Sequence, residues 1–224
     1  MSFFDLPPLP EPPPRQRHPQ PEWLGPPENA LGGAAPLRVV LARTERVAVA
    51  AIGATAYPQG VSFDLVVRMR PSDDEDDFFD PFGQHRFHRR RAGEPWPPPD
   101  VLRFGVAWPD GRKATMLDGR GWPYGSGSAE QPEGPVLSQR GGGGGGGSWS
   151  LGLWLWPLPP AGTIELVCAW PSEQIAETRV AVETAPLLEA AARAETLWPE
   201  GGGGGSAGSG SFQVVLSSRV KDSG

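Results

Sequence analysis

Cysteine is nearly absent from this chain of 224 residues: Cys168 stands alone, so no intramolecular disulfide can form and a secreted disulfide scaffold is excluded. Lysine is almost as scarce, with Lys113 and Lys221 the only two, and Asn29 is the sole asparagine. Positive charge is therefore carried by arginine, and 20 Lys+Arg against 26 Asp+Glu give a formal net charge of −6. That balance offers no general basic face, so general nucleic-acid binding, which rests on neutralising phosphates, is not expected. Long apolar runs are missing too. A spanning helix needs roughly 20 apolar residues, and the stretch Leu151 to Leu158 is already interrupted by Pro157. The opening Met1-Ser-Phe-Phe-Asp-Leu-Pro-Pro has no basic start followed by an apolar run, as a secretory signal would. The expectation is a cytoplasmic protein without membrane insertion.

What is abundant is glycine, at 31 residues, and proline, at 28. Most fall in runs that build neither helix nor strand, and removing them leaves one core of about 160 residues, large enough to fold without a metal or disulfide. The expected organisation is a proline-rich, disordered leader over 1–35, one domain over 36–199, and a Gly/Ser-rich tail over 200–224. Within the domain, 72–100 reads as a flexible insertion of acid, aromatics, base and proline. The stretches 119–135 and 141–147 read as Gly-rich loops. Trp23-Leu24-Gly25-Pro26-Pro27 is the one part of the leader with an anchor for docking on the core.

Period-2 alternation dominates the core. Leu37 to Arg43 and Arg46 to Tyr57 are rich in Val, Ala and Ile, and their spacing predicts a hairpin, the second run closing at Pro58-Gln59-Gly60. In the next run Phe63, Leu65, Val67 and Met69 share one face, with Ser62, Asp64, Arg68 and Arg70 opposite. Two later segments resemble each other. Leu102-Arg-Phe-Gly-Val-Ala-Trp-Pro109 and Ile164-Glu-Leu-Val-Cys-Ala-Trp-Pro171 each close at Ala-Trp-Pro, then turn into a further strand, over Arg112 to Leu117 and Thr178 to Glu183. Ser148 to Trp156 is apolar on both sides, with Trp149, Leu151, Leu153 and Leu155 on one and Trp154 and Trp156 on the other. Thr184 to Trp198 has helix composition, with Leu187, Leu188, Ala191, Ala194 and Trp198 on one face. Seven or eight strands with few helices predict a mainly β fold: an antiparallel two-sheet sandwich, immunoglobulin-like or related, with one C-terminal helix. Phe212 to Leu216 is a further, weak candidate for an edge strand.

Motifs for catalysis are weak throughout. Gly204-Gly-Ser-Ala-Gly208 fits the spacing of a hydrolase nucleophile elbow but lies in the glycine tail, without the strand-to-helix turn that exposes such a serine. Gly141 to Gly147 lacks the following Lys-Ser or Lys-Thr of a phosphate loop. Asp73, Asp74, Glu75, Asp76, Asp77 and Asp80 supply hard oxygens of the kind calcium takes, without a glycine-centred coordination loop. His85 and His88 are spaced for one helical turn and have no assignable third ligand. Cys168 alternates with core positions and reads as a buried small apolar residue. Pro10-Glu-Pro-Pro-Pro-Arg15 matches a proline-helix ligand within a leader where such matches arise easily. No catalytic, cofactor or metal residue is assigned, and no cofactor is called for.

Trp23-Leu-Gly-Pro-Pro-Glu-Asn, Leu41-Ala-Arg-Thr-Glu-Arg-Val-Ala-Val, Ala56-Tyr-Pro-Gln-Gly and Leu155-Trp-Pro-Leu-Pro-Pro-Ala-Gly resemble a family of uncharacterised proteins from GC-rich bacteria. The resemblance spans Trp23 to Pro199 and implies no catalytic residues. The expectation is a non-enzymatic module that binds another protein or organises an assembly, with Trp154 and Trp156 as its candidate partner-binding residues if exposed. Alternatively the helix over 184–198 covers them. The second functional expectation is a ligand- or metal-binding domain, catalytic or not, with the acidic and histidine-bearing stretch 73–88 at the lip of its site.

Overall fold

The computed structural model describes residues 20–70, 80–83, 97, 98, 100–117 and 131–198. Its first hairpin is β2 (Gly33–Arg43) and β3 (Val47–Tyr57). Thr44 makes the turn between them: its Oγ1 accepts from the amides of Val47 at 3.0 Å and Arg46 at 3.3 Å, the local competition of a threonine hydroxyl with the ladder that starts a turn. β4 (Gly60–Met69) follows across Pro58-Gln59, pairing antiparallel with β3. The alternation read in this run holds: Val61, Phe63, Leu65, Val67 and Met69 are buried, while Asp64 and Arg68 are exposed.

The chain then crosses to a second sheet through β5 (Arg103–Ala107) and β6 (Lys113–Thr115), returns through β7 (Val136–Gly145) and β8 (Ser148–Trp156), and crosses again through β9 (Thr163–Trp170) and β10 (Ile175–Glu183). The five-stranded sheet runs β2-β3-β4-β8-β7 and the four-stranded sheet β10-β9-β5-β6, every pairing antiparallel. One apolar core joins them. Phe63 of the first sheet meets Phe104 of the second edge to face, ring centroids 6.1 Å apart, and Leu65, Leu151, Leu153, Val106 and Leu166 fill the same cluster. The protein is thus mainly β, as the alternation predicts.

The likeness between the two Ala-Trp-Pro segments has a structural counterpart. β5 and β9 are antiparallel neighbours at the centre of the four-stranded sheet, each continuing outward into its own hairpin. Phe104 pairs with Cys168 and Val106 with Leu166. In the sequence likeness Phe104 corresponds to Leu166 and Val106 to Cys168, so exchanging the two strands reproduces the same pairs. The sheet therefore has a local pseudo-two-fold axis through the Gly105–Val167 pair. Trp108 and Trp170, which close the two strands, are both buried.

Three sequence expectations are corrected. The helix read over 184–198 is α1 (Ala185–Ala192), eight residues long. Beyond it the backbone finds extended partners, β11 (Glu195–Thr196) pairing with β1 (Ala30–Leu31) and Leu197 N–H donating to the Asn29 carbonyl at 2.8 Å. Leu187, Ala190 and Ala191 face the core, against β2 and β3, whereas Trp198 is 61% exposed. The domain also starts before residue 36: β2 begins at Gly33, where the backbone lies against the Ala190 carbonyl too closely for any Cβ. Finally, Gly141 to Gly145 are not a loop. They form the second half of β7, and Gly146 and Gly147, with φ of 56° and 78°, make a two-residue turn into β8. Two successive left-handed residues match the twist of a tight hairpin, and glycine adopts them without steric cost.

Leu187→Ala should lower stability by about 2–4 kcal/mol through the cavity it opens, and Trp198→Ala by less than about 0.5 kcal/mol. Urea unfolding of the two variants checks this; equal losses would refute the limits given to α1.

Candidate interaction surface

The second half of β8 is buried on both faces. Its leucines enter the shared core, while Trp154 is fully buried and Trp156 is 8% exposed on the outer side of the five-stranded sheet. The cover is not α1, which packs at β2 and β3. It is the chain's own residues 21–24, laid across the outer face of β8 and β7. Three consecutive carbonyls of this strap are captured by side chains beneath it. Trp154 Nε1 donates to the Glu22 carbonyl at 2.8 Å, Ser138 Oγ to that of Trp23 at 2.7 Å, and Arg140 Nη1 to that of Leu24 at 3.2 Å. The first two bonds are part-buried and spare the Trp154 indole and the Ser138 hydroxyl a costly unpaired state, while the third is exposed. Trp23 stacks edge-on against Trp156 at 6.3 Å and Tyr57 against Trp154 at 5.7 Å, with Val136 completing a small second apolar cluster. Trp154 and Trp156 are thus brought together but not exposed. Trp23 was legible as an anchor; that it covers these two residues was not, because nothing local in 21–24 names a partner more than a hundred residues away.

The strap ends where the glycines begin. From Gly141 to Gly146 every residue of the β7 hairpin arm is exposed, and β7 is the outermost strand of its sheet. An outermost strand presents unpaired backbone donors and acceptors, which proteins usually blunt with proline, charge, bulges or brevity. The other edges of these two sheets show such devices. β2 carries Pro36 and two register shifts, β10 carries Glu177, Arg179 and Glu183 with a shift after Ile175, and β6 is three residues long. β7 has one shift, between Gln139 and Gly141. Beyond it the strand is glycine from Gly141 to Gly145 and carries no side chain of its own to blunt the edge.

Two kinds of glycine alternate along this strand. At Gly142 an added Cβ would come within 2.5 Å of the Ser150 carbonyl oxygen, and at Gly144 within 2.5 Å of Trp149 Cδ1, so close approach to β8 demands glycine. At Gly143 and Gly145 a Cβ would meet nothing within 4 Å, and neither takes a left-handed φ. Internal packing does not require glycine there, and glycine within a strand weakens it.

The remaining candidates fall elsewhere. Asp73 to Asp77, His85 and His88, the serine motif at 204–208, the proline-helix match at 10–15 and Phe212 to Leu216 lie outside the described residues. Asp80 is described, and its Oδ1 accepts from the Phe82 amide at 3.1 Å in a turn. Among the described residues no group of three or more His, Cys, Asp or Glu is placed to hold a metal ion. Cys168 is buried with its thiol 3.4 Å from the Thr178 hydroxyl, and burial pushes its pKa up despite that contact. A thiol held protonated in this way is a poor nucleophile. Among the described residues no helix is long and apolar enough to cross a membrane.

No protein-family model matches the chain, and no curated protein or solved structure matches it.

Trp23→Ala should destabilise the fold by about 1–2 kcal/mol, from lost apolar burial and a lost aromatic pair, and shift tryptophan emission to the red as water reaches Trp154 and Trp156. Unchanged emission would show that Trp23 does not cover them. Gly142→Val should cost about 1–3 kcal/mol through steric conflict with β8, whereas Gly143→Val should leave stability unchanged or raise it by up to about 1 kcal/mol. Thermal unfolding of the pair checks the alternation.

Proposed function

We propose that this protein is a non-enzymatic, polypeptide-binding β module that accepts an extended partner segment along the β7 edge. The observation that carries this reading is the row of exposed glycines on an outermost strand, including two positions where internal packing leaves glycine unexplained. A glycine strand brings its backbone within reach of another backbone without interference, which is the requirement for strand addition. The same bareness defines the partner. β7 offers no side-chain pockets, so selectivity has to come from a segment whose own large aromatic or β-branched residues cover the flat glycine surface, as bulky cross-strand neighbours do for glycine elsewhere in sheets.

Trp154 and Trp156 enter this reading as a buttress and not as the contacted surface: they pair across to Ser138 and Val136 and hold the first half of β7 in place under the strap. An immunoglobulin-related sandwich topology and membership of the family resembled in sequence belong to the same proposal. So does the cytoplasmic setting, which the presence of a single cysteine supports.

A synthetic peptide alternating threonine with valine and phenylalanine, added to the full chain, should slow amide hydrogen exchange in Gly141 to Gly145. Gly143→Lys/Gly145→Lys, placed where side chains meet open space, should fold normally and lose that protection, because edge lysines oppose strand addition. Protection that is absent at millimolar peptide, or unaltered in the lysine variant, would overturn the reading.

A further inference from the structure

The outer face of the four-stranded sheet has a depression of about 250 Å³ whose floor is formed by Gly105, Ala107, Val167 and Ala169. Its shape follows from side-chain size. Gly105 pairs with Thr115 on one side and Val167 on the other, and a Cβ at Gly105 would come within 2.9 Å of the Ala114 carbonyl oxygen, so the low point sits on the pseudo-two-fold axis and cannot be filled from within. Long side chains rise around it. Arg103 stands at one end of β5, Lys113 lies beside Ala107 at the other, and Arg179 comes from β10.

The three cations are not equivalent. Arg179 is held by Glu177 at 2.9 Å and Glu165 at 3.1 Å, so its charge is answered within the protein. Among the described residues neither Arg103 nor Lys113 has an acidic partner. Arg103 is half-buried, Nη2 reaches the Pro97 carbonyl only at 3.4 Å, and its Nε is fully enclosed without any hydrogen-bond acceptor. A half-buried guanidinium with one long hydrogen bond keeps donor capacity in its terminal nitrogens, and an anion is the group that answers it most strongly, since charged hydrogen bonds are the strong ones.

From this geometry we infer that the depression is a binding site for a small organic carboxylate with a flat apolar body. The carboxylate is taken by Arg103, with Lys113 at the far end of β5 attracting it at longer range, and the flat part lies on the Gly105–Val167 floor. The site is on the opposite sheet from β7 and uses none of its residues, so it stands independently of the strand-addition reading. It gives the ligand-binding alternative a location other than 73–88.

Benzoate, benzyl alcohol and inorganic phosphate serve as probes of the full chain by ¹H–¹⁵N NMR titration. Benzoate should shift the amides of Gly105, Ala107, Val167 and Ala169 saturably, with benzyl alcohol and phosphate each at least tenfold weaker. Lys113→Gln changes an exposed residue and should weaken benzoate several-fold in a folded protein, and Arg103→Gln should weaken it further. Equal binding of benzyl alcohol would overturn the anionic requirement, equal binding of phosphate would overturn the apolar one, and no saturable shift up to 20-fold above about 1 mM, the weak limit for so small a ligand, would overturn the site. Should Arg103→Gln fail to fold, the Lys113→Gln result alone decides, an unchanged affinity counting against the proposal.

Discussion

The second half of strand β8 must be covered on both faces, and most of the architecture answers that constraint. Its leucines alone would make an ordinary half-buried strand, satisfied by the four-stranded sheet across the core. Trp154 and Trp156 on the reverse side add two of the largest apolar surfaces a chain can carry, with an indole N–H that needs an acceptor when buried. The segment 21–24 supplies both requirements at once, an apolar ring from Trp23 and a carbonyl from Glu22. The backbone of β8 must be paired on its two sides as well. β4 takes one side and β7 the other, which is why a sequence as unpromising for strand formation as five consecutive glycines is nevertheless held extended.

Glycine is a poor strand residue in isolation because ordering it costs more backbone entropy than any other residue. Here the template is long and rigid. The turn at Gly146-Gly147 brings the arm back in register without a long loop to close, so the pairing with β8 has only the ordering of the glycines themselves to offset. The strand is therefore imposed by its neighbour. This also explains why its free side is bare: the features that ordinarily make a strand, branched and aromatic side chains, are the ones that would have stood over the edge.

The same distinction separates what was legible in the sequence from what was not. β4 could be read from Phe63, Leu65, Val67 and Met69, and β5 and β9 from their matched apolar positions, because a period of two is a local property that survives in the fold. The hairpin between Arg43 and Val47 was legible from spacing. The glycine strand was not, since a run without side chains has no period, and the one signal present, a Gly-Gly pair ahead of an alternating strand, was lost inside a longer run of the same residue. The helix was overextended for a related reason. Ala194 and Trp198 fit the helical face by count, but the pairing of Glu195 with Leu31 is a long-range competitor that composition does not reveal. Of the candidate surfaces, Trp154 and Trp156 were visible as apolar residues on the wrong side of a core strand, while the depression at Gly105 depends on pairing across three strands and is invisible in any one of them.

The pseudo-two-fold axis of the four-stranded sheet clarifies why that depression is asymmetric in charge. Exchanging β5 and β9 carries Arg103 onto Glu165, so related positions hold opposite charges. Glu165 is engaged by Arg179 from the neighbouring strand. The corresponding place beside Arg103 is taken by no carboxylate among the described residues, and its guanidinium is left with one long hydrogen bond. Two halves of similar backbone geometry therefore end in different electrostatic states: one internally neutralised, the other holding a half-buried cation next to a surface with no side chain to fill it. Repetition of a hairpin can supply a shape, but only the departure from repetition supplies a charge for a ligand to answer.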